Sequence, residues 1–369
     1  MAALSVVSCK DKDEEVLPSL EGRLQITGNE TFIGSDKESR TLSLKPTGAK
    51  HPKGKKLGYY WKVSPVMSSY DTTRYENGLN KKGQTSDGTF TYELPDSLGT
   101  YTIYCYAYAS GHTGLSAAAY TTIVKGGVQT SDDDTSVSIT NTDIAINGTQ
   151  INGTEYYYVT NGNLDWTANN MAEKGKGTAF LGLDIMSDVF GRYYSYQEAK
   201  EICEGLASDN GNEWRLPTDA DWIDLVNSIT ADAQDFTANV HQDISWDNKK
   251  NGTPSLGARL LADAYFNGDK LWEFWPEMGV PQNTSGMAIL PTGYANLGVT
   301  PEVSSRSSYP GALFSAIYEF AAFWTADEVS DDTNQAYYRY IYTKKPDLMI
   351  GKGDKVSFGA SVRCVRNSN

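Results

Sequence analysis

Residues 214–218 read Trp-Arg-Leu-Pro-Thr, and this stretch opens a helix in the C-terminal part of the chain. Pro217 suits a position at a helix start, and Thr218 is a residue type that caps helix N-termini. Apolar side chains then recur at helical spacing, at Trp222, Leu225, Val226 and Ile229. The stretch therefore predicts an amphipathic helix that buries one face.

A second helix is predicted upstream of this one, from a capping box. Ser195 can act as N-cap while Glu198 occupies the third helical position. One face of this helix carries Tyr196, Ala199, Cys203 and Leu206. Cys203 should therefore point into the core.

The pattern of helices and strands predicts an α+β domain from about Val137 to Asn369. A third helical stretch is expected near Ser255 to Phe266, and loops rich in Gly, Pro, Asn and aromatic residues follow it. Two terminal strands are expected around 336–343 and 355–365.

Residues 17–125 alternate apolar and polar side chains, as half-buried strands do. The stretches with this pattern are Arg23–Thr27, Thr41–Lys45, Gly58–Ser64, Gly99–Ala109 and Ala117–Val124. Short strands around a central Trp61 predict an all-β, immunoglobulin-like sandwich. This region resembles bacterial surface sandwiches of the PKD kind. The composition of residues 126–136 predicts a linker. Asp132 to Asp134 are not expected to bind calcium, because consecutive carboxylates on an extended chain alternate in direction and do not converge.

The overall charge restricts the classes of partner. The chain has 369 residues, 39% of them hydrophobic, and a net charge of -14. This length favours two or three domains. Phosphate backbones require clustered Lys and Arg, so we expect no nucleic-acid partner. No stretch is apolar over the length of a membrane-spanning helix.

The first residues resemble a lipoprotein signal. Val6-Val-Ser-Cys9 resembles the lipobox of bacterial lipoproteins, and the charged tract Lys10–Glu15 resembles the export signal of surface lipoproteins in Bacteroidetes-type bacteria. The resemblance implies that Cys9 is lipidated and that the protein is anchored in the outer membrane at the cell surface, with residues 1–16 as signal remnant and acidic tether. A basic n-region is missing and the apolar stretch is short. The alternative is a buried strand that ends in a free cysteine.

Several stretches between Asp165 and Arg366 resemble a known family, the Fibrobacter succinogenes major paralogous domain. They are Asp165-Trp-Thr-Ala-Asn169, Gly191-Arg-Tyr-Tyr194, Trp214–Thr218 with Trp222 and Leu225, Asn283-Thr-Ser-Gly286 with Leu290-Pro-Thr-Gly293, Phe323-Trp-Thr325, and Phe358–Arg366. The chain departs from the family at Gly211-Asn-Glu213, where members often have a second Cys-Pro-type segment. The resemblance implies a C-type-lectin-like fold for residues 137–369.

The resemblance also assigns the cysteines. Four cysteines allow three pairings, so the sequence alone leaves the pairing open. In C-type-lectin-like domains a disulfide ties the first helix to the last strand, and Cys203 and Cys364 occupy those places. Cys105 is then expected to be a buried free thiol of the sandwich.

No enzymatic motif stands out. The three histidines lie apart without zinc-ligand spacing, and neither a nucleophile elbow nor a phosphate loop is present. Formylglycine-generating enzymes share the lectin-like fold but need a close pair of reactive cysteines near the C-terminus, where only Cys364 lies. Trp246-Asp-Asn248 and Val280-Pro-Gln-Asn283 invert the order of calcium-dependent sugar motifs. We therefore predict a non-enzyme without cofactor or metal.

Aromatic residues give the candidate ligand site. Trp246, Trp272, Trp275, Tyr294 and Tyr309 fall in the variable loop region, where stacking on a ligand requires exposed rings. Burial in the core is the alternative for Trp272 and Trp275. Two tyrosine stripes are alternative docking surfaces: Tyr104, Tyr106 and Tyr108 in the first domain, and Tyr338, Tyr340 and Tyr342 in the second.

These observations predict a cell-surface lipoprotein whose lectin-like domain binds an extracellular glycan or protein. Its ligand should lie on the face formed between about Gln242 and Pro310, and binding should not require calcium. A structural or assembly subunit of a surface appendage or glycan-uptake complex is the first alternative. An enzyme related to the formylglycine-generating enzymes is the second.

Overall fold

The structure is a computed structural model in which the chain forms two compact units, Met1–Ile123 and Val124–Asn369. It describes residues 17–30, 32–34, 40–65, 87–94, 99–124, 128–129, 138–139, 148–153, 156–208, 211–231, 236–246, 254–266, 269–272, 278–299, 308–309 and 311–368. Both units are rich in strands, and helices are few. The predicted tether and lipidated residue, Cys9, lie outside the described residues. Among the described helices, none has both the length and the hydropathy to cross a bilayer.

The first unit packs two sheets around one core. Its strands are β1 Glu21–Thr27, β2 Phe32–Gly34, β3 Thr41–Lys50, β4 Gly58–Pro65, β5 Phe90–Glu93, β6 Gly99–Tyr108 and β7 Leu115–Val124. The sheet orders are β1-β3-β5 and β2-β7-β6-β4. Both sheets supply the core, with Leu44 and Phe90 from one and Trp61 and Ile103 from the other. Trp61 stacks on Phe90 with 5.6 Å between ring centroids, so the predicted central tryptophan does join the two layers.

The second unit has short strands, four described α-helices and a 3-10 helix at Phe180–Gly182. Its strands are β8 Val128–Gln129, β9 Ser138–Ile139, β10 Thr149–Gln150, β11 Tyr157–Asn161, β12 Leu164–Thr167, β13 Thr178–Ala179, β14 Arg192–Tyr193, β15 Phe236–Thr237, β16 Ser245–Trp246, β17 Tyr265–Phe266, β18 Asp269–Lys270, β19 Tyr294–Val299, β20 Ser308–Tyr309, β21 Gly311–Ser315, β22 Phe320–Glu328, β23 Gln335–Tyr342, β24 Met349–Asp354, β25 Phe358–Gly359 and β26 Val365–Asn367. Its helices are α1 Asp184–Phe190, α2 Tyr196–Glu204, α3 Asp219–Ile229 and α4 Leu256–Leu260.

Four sheets of this unit have three or four strands. Their orders are β10-β11-β12-β26, β18-β17-β8-β9, β20-β21-β19-β25 and β22-β23-β24. Strand β22 also forms isolated parallel bridges, from Ala321 to Gly293 and from Phe323 to Ser361. These bridges place the β22-β23-β24 sheet beside β19 and the terminal segment.

The predicted capping box of α2 is present, and the predicted N-cap of α3, Thr218, also forms one. Ser195 and Glu198 cap α2, and Thr218 and Asp221 cap α3. The third predicted helix is shorter than expected, because Leu261 leaves the helix to bridge Ile289, and the residues up to Phe266 are extended. Tertiary pairing overrides helix propensity at this position.

Two other sequence predictions need correction. Part of the predicted linker, Val128–Gln129, is a strand that pairs with Tyr265 and with β9. The predicted strand 355–365 is divided, because the chain leaves β25, bridges Tyr194 and Phe323 at Ala360 and Ser361, and enters β26 afterwards. The alternating sequence of residues 355–365 predicts one strand, although successive parts of it pair with different elements.

A disulfide ties α2 to the terminal segment. Cys203 and Cys364 are bonded with their Cα atoms 5.4 Å apart, which is the pair that the resemblance implied. Both are fully buried in a core that also contains Ala199, Trp214 and Trp324. Cys105 is a buried free thiol of the first unit, and burial raises its pKa to about 12.

Candidate functional site

One surface of the second unit is covered by aromatic rings, which we call the aromatic cluster. It consists of Tyr294, Phe320, Trp324, Tyr338, Tyr340 and Phe358. Ring centroids are 4.8 Å apart for Phe320 and Tyr340 and 4.5 Å apart for Tyr338 and Phe358, both in stacked arrangements. The ring centroid of Tyr294 lies 5.7 Å from that of Phe320 and 5.5 Å from that of Phe358. The rings therefore form one continuous surface.

Strand pairing brings these rings together. In the β22-β23 pair, Trp324 lies opposite Tyr338 and Phe320 lies opposite Tyr342. Side chains two residues apart on a strand share a face, so Tyr338, Tyr340 and Tyr342 project to the same side as Phe320 and Trp324. Strands β19 and β25, which pair with each other, add Tyr294 and Phe358 from the neighbouring sheet.

Glycines of β24 leave room for the rings. Gly351 lies opposite Tyr338, and a Cβ atom there would overlap the Tyr338 ring. A Cβ on Gly353 would approach Phe358 Cδ1 to 2.6 Å and the far edge of the Trp324 ring to 2.9 Å. Both distances are closer than ordinary van der Waals contact. The rings therefore lie against bare backbone, which restricts their orientation.

The cluster has a buried base and a half-buried surface. Trp324 is fully buried and its indole Nε1 donates a hydrogen bond of 2.8 Å to the carbonyl oxygen of Tyr194. The other rings are only partly buried. The ring centroids of Trp324 and Tyr196 of α2 are 5.6 Å apart, so the half-buried rings lie on a core that also contains the disulfide.

The hydroxyls of Tyr338 and Tyr340 in the cluster are neutral at physiological pH. Burial, with smaller contributions from Tyr340 and Tyr294, raises the pKa of Tyr338 to about 12. Burial also raises the pKa of Tyr340, and the charge of Asp243 adds to the effect. Neutral phenols combine an apolar ring with a hydroxyl that can donate and accept hydrogen bonds. Such a surface can stack on a ligand and hydrogen-bond its edge.

A polar network occupies the opposite face of β23. Arg339 makes two hydrogen bonds to Asp219, of 2.5 and 2.9 Å, and both side chains are fully buried. Asp327 accepts the backbone N–H of Asp219 at 2.6 Å and lies 3.6 Å from His241 Nε2. The His241 ring stacks on Tyr337. These contacts join the start of α3 to β22 and β23, which is a structural role.

The described residues give no metal centre. No group of three or more His, Cys, Asp or Glu side chains among them is arranged to hold a metal ion. Cys364 is bonded to Cys203 in the structure, so its thiol is not free for the chemistry of a formylglycine-generating enzyme.

The five predicted ligand-binding residues do not share one environment in the structure. Trp272 is fully buried in the core and its Nε1 donates a hydrogen bond of 2.8 Å to the carbonyl oxygen of Ile289, so the prediction for this residue is wrong. Tyr294 belongs to the aromatic cluster. Trp246 and Tyr309 lie in β16 and β20, but their side chains, like the whole of Trp275, lie outside what the structure describes.

Other residues were missed by the sequence predictions. Phe320 and Phe358 complete the cluster, and the alternation of Phe320, Ala322 and Trp324 was the available signal. Arg363 is fully buried and donates to Asn170 Oδ1 at 2.7 Å and to the carbonyl oxygens of Thr167 and Met287. Burial lowers its pKa to about 9.

Comparison with known proteins identifies one family. The model of the Fibrobacter succinogenes major domain matches residues 134–366, which is more than half of the chain. Comparison with curated proteins gave no match, and neither did comparison with solved structures. The match contains the disulfide and the whole aromatic cluster. This chain therefore belongs to the Fibrobacter succinogenes major domain family.

Proposed function

We propose that this protein is a non-catalytic cell-surface lipoprotein that binds an extracellular glycan or protein through the aromatic cluster. The observation that carries the proposal is a continuous surface of half-buried rings, Tyr294, Phe320, Tyr338, Tyr340 and Phe358, held against a buried tryptophan. Aromatic residues supply contact area with few rotors to immobilise on binding. A surface already ordered by packing loses little entropy when a ligand arrives.

The chemistry of the cluster favours a ligand with apolar faces and hydroxyl edges. Stacked rings offer flat apolar area, and the neutral hydroxyls of Tyr338 and Tyr340 offer hydrogen bonds at its margin. Sugar rings have both features. A glycan is therefore the ligand to test first, and a peptide segment with aromatic or aliphatic side chains is the second.

The proposed binding site is the aromatic cluster, which differs from the face between about Gln242 and Pro310 that the sequence predicted. Of the residues between Gln242 and Pro310, Tyr294 supports a binding role, whereas Trp272 belongs to the core. The rest of the cluster follows in β22, β23 and β25. Sheet positions hold side chains more rigidly than loops do, which suits a site that relies on ring orientation.

We also propose the finer folds that the sequence suggested. Two sheets around the Trp61 core support an immunoglobulin-like sandwich for the first unit. A disulfide between α2 and the terminal segment supports a C-type-lectin-like fold for the second. An experimental structure in which the sheet order differs from that of these folds would contradict the assignment.

The proposed anchor is Cys9. The lipobox-like sequence before it and the charged tract after it support lipidation and surface export. Cys9→Ala in a Bacteroidetes-type host should move the protein from the membrane fraction to the soluble fraction. Unchanged fractionation of this variant would contradict the anchor without affecting the binding proposal.

A glycan array tests the binding proposal. The probe is the full chain without residues 1–15, as wild type and as the variants Phe320→Ala and Tyr340→Ala. We expect the wild type to bind one or more glycans, and each variant to lose about 1–3 kcal/mol of binding free energy, because each removes one ring of the contact surface. Tyr337→Ala is the matched control, because Tyr337 lies on the same strand but on the opposite face.

Two outcomes would contradict the proposal. One is that no glycan and no extracellular protein binds the wild type. The other is that Tyr337→Ala reduces binding as much as Tyr340→Ala does. Circular dichroism of each variant separates lost binding from lost folding.

A further inference from the structure

A second aromatic surface lies on the first unit, on the outer face of the β2-β7-β6-β4 sheet. Tyr60 of β4 lies opposite Tyr106 of β6, and Gly58 lies opposite Tyr108. The Tyr60 ring stacks on Tyr108 with centroids 4.4 Å apart, and on Tyr106 at 6.4 Å. We call these three residues the tyrosine platform.

Glycines support the platform, as they do in the second unit. A Cβ atom on Gly58 would overlap the ring of Tyr108, and one on Gly114 would overlap the ring of Tyr106. Both rings therefore lie over bare backbone. Tyr106 is 42% exposed and Tyr108 is 38% exposed, so ring area remains accessible to solvent.

Basic residues lie beside the platform. The segment Lys50-His-Pro-Lys-Gly-Lys-Lys56 leads from β3 to Gly58, and its lysines are exposed. It contains no acidic residue, although the chain carries a net charge of -14. His51 of this segment contacts His112 of the β6-β7 turn, with ring centroids 4.5 Å apart, which holds the segment near the end of the platform.

The charge around His51 is consistent with a local positive potential. Burial lowers the pKa of His51, and the charges of His112, Lys55 and Lys53 lower it further, while Glu21 opposes them. Lys62 adds a cation on the face of the platform itself, opposite Tyr104. A basic patch on an acidic protein attracts polyanions locally despite the overall repulsion.

We propose that the tyrosine platform and the adjoining lysines bind an anionic polysaccharide. The rings stack on sugar faces, and Lys53, Lys55 and Lys56 pair with carboxylate or sulfate groups of the same chain. The two features together select this class: a neutral glycan would use the rings alone, and a polyanion without sugar rings would use the lysines alone. The first unit then contributes binding of its own, separate from the aromatic cluster.

Biolayer interferometry with immobilised polysaccharides tests this inference on the chain without residues 1–15. The probes are polygalacturonate with its methyl ester, and dextran sulfate with dextran. We expect binding to at least one polyanion and at least about fivefold weaker binding to its neutral counterpart. Raising NaCl from about 0.05 M to about 0.5 M should weaken binding, because salt screens the lysines.

Matched variants locate the site. Tyr108→Ala and the double variant Lys55→Glu/Lys56→Glu should each weaken binding at least about fivefold. Tyr120→Ala, another exposed tyrosine of the same sheet, and Lys45→Glu, an exposed lysine of the other sheet, should have little effect. Tyr340→Ala in the second unit should leave this binding unchanged, so failure here is distinguishable from failure of the aromatic cluster.

The inference is overturned by any of three results. The wild type binds neither polyanion. The neutral counterpart binds as well as the polyanion. Lys45→Glu and Tyr120→Ala reduce binding as much as the platform variants do, which would indicate non-specific attraction.

Discussion

Asp219 and Arg339 illustrate how much of this protein depends on single buried charges. Arg339 lies on β23, between the half-buried Tyr338 and Tyr340, yet its side chain is fully buried against Asp219 at the start of α3. Each hydrogen bond in this pair satisfies a charge that water cannot reach. Such a pair costs desolvation to form, but removing one partner leaves the other charge buried alone.

Arg339→Met should therefore lower the free energy of unfolding of the second unit by about 3–5 kcal/mol. The reason is that the Asp219 carboxylate stays buried and loses two hydrogen bonds. Urea denaturation followed by fluorescence measures the change. Lys176→Met removes a partner from an exposed ion pair with Glu173 and should change stability by less than about 1 kcal/mol. Equal effects of the two variants would contradict this reasoning.

Single residues also limit what the sequence could predict. Trp272 and Tyr294 are both large aromatics in the region predicted to bind ligand, but one is buried in the core and the other lies in the aromatic cluster. Their local sequences do not differ in a way that reveals this. The difference arises from distant partners, Ile289 for Trp272 and Phe358 for Tyr294, which only the folded chain supplies.

Among the elements, the helices α2 and α3 were the most predictable. Their capping boxes and apolar spacing are local, so Ser195 and Thr218 mark the starts correctly. The short α4 and the divided terminal strands were less predictable, because pairing with Ile289 and bridging to Tyr194 decide where they end. Local signals therefore locate the beginnings of elements better than their ends.

The start of α3 also predicts a pH dependence of stability. Burial raises the pKa of Asp221, but hydrogen bonds from Arg215 and Thr218 outweigh burial and lower the pKa. A carboxyl whose folded pKa is lowered stabilises the fold above the unfolded pKa, about 4, and loses that contribution as pH falls through the folded value. Asp221→Asn should therefore destabilise the protein by about 1 kcal/mol at neutral pH, and by less once the pH falls below the folded pKa of Asp221.

Urea denaturation at several pH values measures this effect. Asp224→Asn is the control, because Asp224 is an exposed acid on the same helix and should show a much smaller change at neutral pH. If Asp221→Asn destabilises the protein equally at neutral and low pH, the contribution does not come from the ionised carboxylate.

At the scale of the whole molecule, two β-rich units each present aromatic rings over glycines of a neighbouring strand or turn. In the second unit, Tyr338 lies over Gly351. In the first unit, Tyr108 lies over Gly58.

The family and the disulfide could be inferred from the sequence through motifs spread along the chain. For the aromatic cluster, the sequence indicated Tyr294 and the Tyr338–Tyr340 stripe separately. Their assembly with Phe320 and Phe358 could not be inferred, because the members come from β19, β22, β23 and β25 and only sheet pairing brings them together.

The decisive measurement is isothermal titration of the chain without residues 1–15 with the first ligand found, using wild type, Tyr340→Ala and Tyr337→Ala, each with and without EDTA. We predict that Tyr340→Ala weakens binding by about 1–3 kcal/mol, that Tyr337→Ala changes it by less than about 0.5 kcal/mol, and that EDTA has no effect. If folded Tyr340→Ala binds as wild type does, or if EDTA abolishes binding, then the aromatic cluster is not a metal-independent binding site.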